Sequence, residues 1–251
     1  MLGLEVSTLA IAFAALCMGG VAKGVTGIGL PIISIAILVN FFPPTLSIAI
    51  VVMPILVTNL WQAVSSENFF APIKRFWPVV VFFVTTLTIS AQLVVSLNPD
   101  HLFAILGTSV VIFSASNLAK PRISAISAGT ERWLGPVAGI AGGLLGGVST
   151  IWGPPLMMFL MTLKLNKDEW VRIVGFIWFT GAIPLTLTYW YNGMLNEQSF
   201  PLSLAACIPG MIGILIGERI RSWINQETFR KVMLILLFLI GLNLIRRALF
   251  L

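Results

Sequence analysis

Three stretches of the chain, "VVVFFVTTLTISAQLVVSL" (79–97), "LFAILGTSVVIFSASNLA" (102–119) and "VMLILLFLIGLNLI" (232–245), contain no lysine, arginine, aspartate or glutamate. A helix needs roughly 20 apolar residues to cross a hydrocarbon core of about 30 Å, and runs of this kind recur along the chain. They do not alternate polar with apolar residues, which disfavours a β-barrel. Of the 251 residues, 58% are hydrophobic and only 10% charged, whereas a soluble domain carries about 25% charged residues. The fold expected is an all-α membrane protein.

Ten apolar pieces can be drawn: 4–22, 27–41, 45–64, 76–96, 102–119, 135–150, 153–163, 171–191, 201–218 and 230–247. The first two, and again the sixth and seventh, are short and interrupted by Gly and Pro. The other six read as full spans. The arrangement repeats. "GGVAKGVTGIGLPII" (19–33) resembles "GGLLGGVSTIWGPPLM" (142–157), with Gly20 opposite Gly143, Gly24 opposite Gly147, Gly29 opposite Gly153 and Pro31 opposite Pro155, if one residue is inserted in the second copy. This divides the chain into a first transmembrane repeat (1–119), a polar cytoplasmic link (120–133) and a second transmembrane repeat (134–251).

Basic residues set the orientation. Lys74 and Arg75, then Lys120, Arg122 and Arg132, then Lys164, Lys167 and Arg172, and finally Arg219, Arg221, Arg230 and Lys231 mark four connections. The connections near Phe41–Pro44, Asn98–His101 and Asn192–Gln198 have no Lys or Arg. With the basic connections cytoplasmic, both termini fall outside the inner membrane, against the sign of Arg246 and Arg247. Each half then has three full spans plus a Gly/Pro-broken pair. An odd number of crossings gives the two repeats inverted topology, an architecture that places a substrate site at the repeat interface. The same placement of charge explains the net +6 without nucleic acid. Cys17 and Cys207 read as packing residues. Trp77, Trp133, Trp170 and Trp223 read as interfacial anchors, and Pro54 and Pro184 as kinks.

The broken pairs are the candidate site. Irregular backbone is tolerated in a membrane only where protein buries it or where it lines a cavity. Gly29 and Pro31 start one half-helix, and Gly153 with its prolines starts another. Such starts present unpaired N–H groups and the positive end of a helix dipole to an anion. Thr26, Ser149 and Thr150 offer hydroxyls, and Gly27 freedom of turn. Lys23 is a cation inside an apolar run, worth about 2.5–3.5 kcal/mol in insertion cost. A bound anion would partner it, and snorkelling to the interface is the other reading. Asn59 and Gln62 either line a cavity or lie in the interface belt. Trp152 either stacks on a ligand or packs. The glycines have a second reading too, as close-packing positions between helices.

No HExxH, GxSxG, Walker or CxxC pattern occurs, so neither an enzyme nor a cofactor is expected. The segments "KGVTGIGLP" and "GGVSTIWGPP", with the ending "GILIGERIRSWINQETFRKVMLILLFLIGLNLI", resemble the sulfite exporter TauE/SafE family over nearly the whole chain. The usual triple-glycine run is replaced here by Gly-Ile-Gly-Leu-Pro and Trp-Gly-Pro-Pro. The resemblance implies a permease for sulfite, thiosulfate or small sulfonates such as sulfoacetate. The partners it implies are a small sulfur-containing anion and lipid, with a homodimer left open. A channel-like or cation-carrying protein, or a membrane subunit that transports nothing, are the rival readings.

Overall fold

A computed structural model describes residues 6–64, 73–94, 96–119, 126–163, 165, 167–220, 223 and 226–250. The orientation marks Lys120, Arg122, Lys164 and Arg221, and the two chain ends, lie outside the described residues. Within them the chain forms α1 (Val6–Thr26), α2 (Leu30–Leu38), α3 (Pro44–Val64), α4 (Ile73–Ala91), α5 (Pro99–Leu118), α6 (Ala128–Ser149), α7 (Gly153–Thr162), α8 (Lys167–Tyr191), α9 (Ser199–Ala205), α10 (Cys207–Ile220) and α11 (Gln226–Phe250). No strand occurs among the described residues. Among the described residues five segments are long and apolar enough to cross a membrane: Thr8–Thr26, Pro44–Val64, Asp100–Leu118, Arg172–Tyr191 and Ser199–Ile220. Leu187, Ile208, Ile89 and Leu215 are exposed on the outer surface, as lipid-facing side chains must be.

The first member of each broken pair is not short. α1 has 21 residues and α6 has 22, about 31–33 Å at 1.5 Å per residue. Only their followers are half-length, at 9 and 10 residues in α2 and α7. The breaks therefore fall at the ends of membrane-length helices, not halfway along them. α6 also begins six residues before the expected boundary at 134. Ser127 caps it, accepting from the Thr130 N–H at 3.2 Å, so 128–133 of the polar link are helical. The span 199–220 is in turn divided at Ala206, whose N–H bonds to Leu202 at 2.9 Å.

Most of the motif glycines sit inside continuous helices and serve packing. A Cβ on Gly20 or Gly24 would run into the backbone of Gly210, Gly213, Ile214 and Gly217, and one on Gly213 or Gly217 into the carbonyls of Cys17 and Val21. Residue numbers rise together along this contact, so α1 and α10 run in the same direction. The sixth helix repeats the device. Gly139 meets the Val79 carbonyl and Phe83, Gly143 meets Thr86 and Leu87, and Gly147 meets Ser90 and Ala91, so α6 runs with α4. Ser90 donates to the Gly143 carbonyl at 2.9 Å across this contact. Small residues let the backbones approach where no hydrophobic force separates protein from lipid. At the third contact, Gly107 meets Gly241 and Ile245, and Gly241 meets Val111. Here numbers rise in one helix and fall in the other, so α5 and α11 are antiparallel.

α2 folds back along α1. Ser34 donates to the Ala15 carbonyl at 3.2 Å, and a Cβ on Gly29 would touch Ala22 at 3.6 Å. α3 then returns, bringing Asn59 and Gln62 beside the end of α1. Its kink at Pro54 leaves the Ile50 carbonyl without a helical partner. Ser203 of α9 fills the gap, donating to Ile50 O at 3.1 Å and accepting from the Met53 N–H at 3.1 Å. At the other end of the molecule, Arg75 on α4 makes a two-pronged pair with Glu131 on α6, at 2.7 and 3.0 Å.

Candidate functional site

The first break is built by a threonine and two glycines. The Thr26 hydroxyl lies 2.8 Å from the carbonyls of Ala22 and Ile28, to either of which it can donate, and accepts from the Ile28 N–H at 3.3 Å. The Gly27 N–H closes the last turn of α1 on Lys23 O at 2.7 Å. Gly27 and Gly29 have φ of 83° and 117°, which side chains with a Cβ adopt only with strain. Gly29 caps α2 without any side-chain bond, and Pro31 follows in the first turn. Leu30 and Ile32 therefore carry the first-turn N–H groups of α2 that no side-chain cap covers.

The second break solves the same problem with other residues. Ser149 donates to Leu145 O at 2.7 Å and accepts from the Ile151 N–H at 3.1 Å, as Thr26 does. The Thr150 N–H closes on Gly146 O at 2.7 Å, and Thr150 takes φ 59°, as Gly27 does. The two broken segments thus align without an insertion. Trp152, the cap of α7, stands opposite Gly29, and Pro154 opposite Pro31. Trp152 is buried, its ring edge-on to Phe83 at 5.8 Å and to Trp178 at 6.5 Å. Pro154 and Pro155 both lack an N–H, so α7 presents fewer donors than α2. The hydroxyls of Thr26 and Ser149 are occupied in holding the breaks. The Thr150 Oγ1 is buried without a hydrogen-bond partner.

Lys23 is only 4% exposed, so its side chain is packed inside the protein and does not extend over its surface. Its Nζ donates to Thr58 Oγ1 at 3.1 Å and to Asn59 Oδ1. Thr58 in turn donates to Pro54 O at 2.6 Å. One turn beyond Asn59, Gln62 Nε2 donates to Gly27 O at 3.2 Å, and its Oε1 is buried without a partner. Lys23, Asn59, Gln62 and Gly27 therefore form one cluster joining α1 to α3. Thr150, Trp152 and Gly153 form another, beside α4 and α8.

Between the halves lies a cavity of about 190 Å³. The first half supplies Thr26, Gly29 and Asn117 to its wall, and the second supplies Met157, Met161 and Trp170. Thr26 and Gly29 are thus the members of the expected site that line it. A side chain on Gly153 would touch Phe113 and Met157, both in the wall, so Gly153 stands directly behind it. Lys23, Gly27, Pro31, Asn59, Gln62, Ser149, Thr150 and Trp152 are not wall residues. Asn117, buried at the end of α5 and donating to Phe113 O at 2.8 Å, was missed. A lone amide closing an otherwise apolar run was the signal for it. Trp170 faces the cavity wall rather than serving only as an interfacial anchor. Trp77, Trp133 and Trp223 are exposed, as anchors are.

No curated protein and no solved structure matches the chain. The family model for the sulfite exporter TauE/SafE matches residues 11–244, nearly everything described above, including both breaks, the helix pairs that cross between the halves and every residue of the cavity wall named here. The chain belongs to the sulfite exporter TauE/SafE family of multi-pass membrane transporters for sulfur-containing anions.

Proposed function

We propose that the protein is a secondary permease that carries sulfite, thiosulfate or a small organosulfonate such as sulfoacetate across the inner membrane. The observation that carries this reading is the cavity shared by the two halves and bordered by the first break. Gly29, in the wall, is the cap of α2, so the positive end of that helix dipole lies beside the cavity and favours an anion. Asn117 and Thr26 supply the polar part of the wall, for the oxygens of the anion, and the methionines and aromatics the apolar rest, which suits the carbon part of a small organosulfonate. The second break supports the wall from behind through Gly153.

The proposed mechanism is movement of two inverted repeats, 1–119 and 134–251, about the link 120–133. Its support is the exchange of helices between halves. α1 packs with α10 and α6 with α4 through matching glycine contacts, while α5 and α11 meet antiparallel, as equivalent helices about an axis in the membrane plane would. Both termini face outward in this arrangement. The test is exchange flux in proteoliposomes. Labelled sulfite, thiosulfate and sulfoacetate should each be taken up against an internal pool of the same anion, and acetate should not compete. Asn117→Leu should reduce the flux about tenfold without loss of folded protein. Equal competition by acetate, or no exchange of any sulfur anion, overturns the reading.

A further inference from the structure

We propose that Lys23 carries a proton through the transport cycle, held as an ammonium by Thr58 and Asn59 in one state and released as a neutral amine in the other, so that anion and proton move together. This rests on the permease reading above. Among the described residues no carboxylate lies within 4 Å of the Lys23 ammonium; the carboxylates of Glu131 and Glu169 pair with Arg75 instead. The partners of Lys23 are two neutral oxygens. A buried cation without a counter-ion is costly in low dielectric, and an arrangement with two neutral acceptors suits an amine that is charged for only part of the time.

The surroundings leave Lys23 as the titrating group at this place. α2 and α3 carry no charged or titratable residue. α10 carries Cys207 at one end and Glu218 and Arg219, both exposed, at the other. Charged residues on α11 include Lys231, exposed, with Arg246 and Arg247 near its end, where Arg247 donates to Val39 O at 3.1 Å. Cys17 lies on α1 itself.

Geometry links this group to the site. An ammonium has three N–H bonds, and two are used. Gln62, one turn along α3 from Asn59, presents a bare Oε1, while its Nε2 holds the Gly27 carbonyl at the first break. Loss of the proton weakens the hold on Asn59 and frees α3 to shift against Gly27. Thr26 lies one turn from Lys23 and faces the cavity. An anion there favours the ammonium, and by linkage the ammonium favours the anion by the same factor. The step is Lys–NH3+ to Lys–NH2 plus H+, the proton taken from the side where the anion binds and given up where it leaves.

The test uses the full chain in proteoliposomes with trapped pyranine and with methanesulfonate, which stays ionised and carries no proton itself. The membrane potential is clamped with potassium and valinomycin. One unit of inward pH gradient should drive up to about tenfold accumulation in the wild type, with internal acidification. Lys23→Met should weaken the apparent affinity for methanesulfonate, leave exchange measurable at saturating anion, and lose both accumulation and the dye signal. Asn59→Asp, which supplies a fixed counter-charge, should do the same and serves if the first variant does not fold. Accumulation that survives either substitution in folded protein overturns the inference. Wild-type exchange without proton movement overturns it too and leaves the permease reading intact. Absence of exchange by the wild type overturns both.

Discussion

The two helix breaks share a backbone plan and differ in what surrounds it. At each, a hydroxyl residue bonds back one turn and forward two residues, and the next residue turns left-handed. The first uses glycine for that turn, is backed by Lys23, Asn59 and Gln62, and borders the cavity. The second uses Thr150, is followed by two prolines, and is packed by Phe83, Trp152 and Trp178. Tyr189 also donates to Gly147 O at 2.5 Å, replacing the Ile151 N–H that Ser149 has taken. The same local solution thus forms a cavity edge in one half and a packed wedge in the other.

That contrast can be broken by substitution. Trp152→Ala should cost the most, about 3–5 kcal/mol from lost burial and the void left behind, read as a large fall in melting temperature of the detergent-solubilised protein. A small change would mean that the second break is not packed as a wedge. Gly29→Val places a β-branched residue at φ 117°. It should cost on the order of 1–3 kcal/mol and abolish sulfite flux, whereas full flux would show that the first break does not shape the site. Tyr189→Phe leaves the Gly147 carbonyl bare and should cost about 1 kcal/mol with flux unchanged. The smallest effect is a gain. Thr150→Gly relieves a left-handed threonine whose hydroxyl has no partner, and should raise stability by about 0.5–1 kcal/mol. A loss there would show that the threonine side chain has a role this comparison does not give it.

Much of the fold was legible. Nine of the ten apolar pieces appear as single helices and one as the pair α9 and α10, because apolar runs that do not alternate satisfy their backbone in lipid as helices. The breaks after Thr26 and Ser149 were legible too, from Gly and Pro placed alike in both halves. The motif glycines have two readings, break and close packing. Gly20, Gly24, Gly143 and Gly147 fall to the second, pressing against neighbouring helices. A glycine in sequence does not say whether it is needed for φ or for the space a neighbour occupies.

The sequence by itself determined that the chain crosses a membrane as helices and that similar Gly/Pro motifs interrupt it in both halves. Those follow from apolar length and from the backbone limits of Gly and Pro, which are local properties. Only the tertiary structure decided which side chains meet. Lys23 turned toward Asn59 and Thr58 from 35 or more positions away, and Trp152 toward Trp178. The cavity wall took Asn117 and Trp170 in place of most of the residues nearest the breaks. Such contacts depend on which face of each helix its neighbours cover, and that is settled by packing between distant segments.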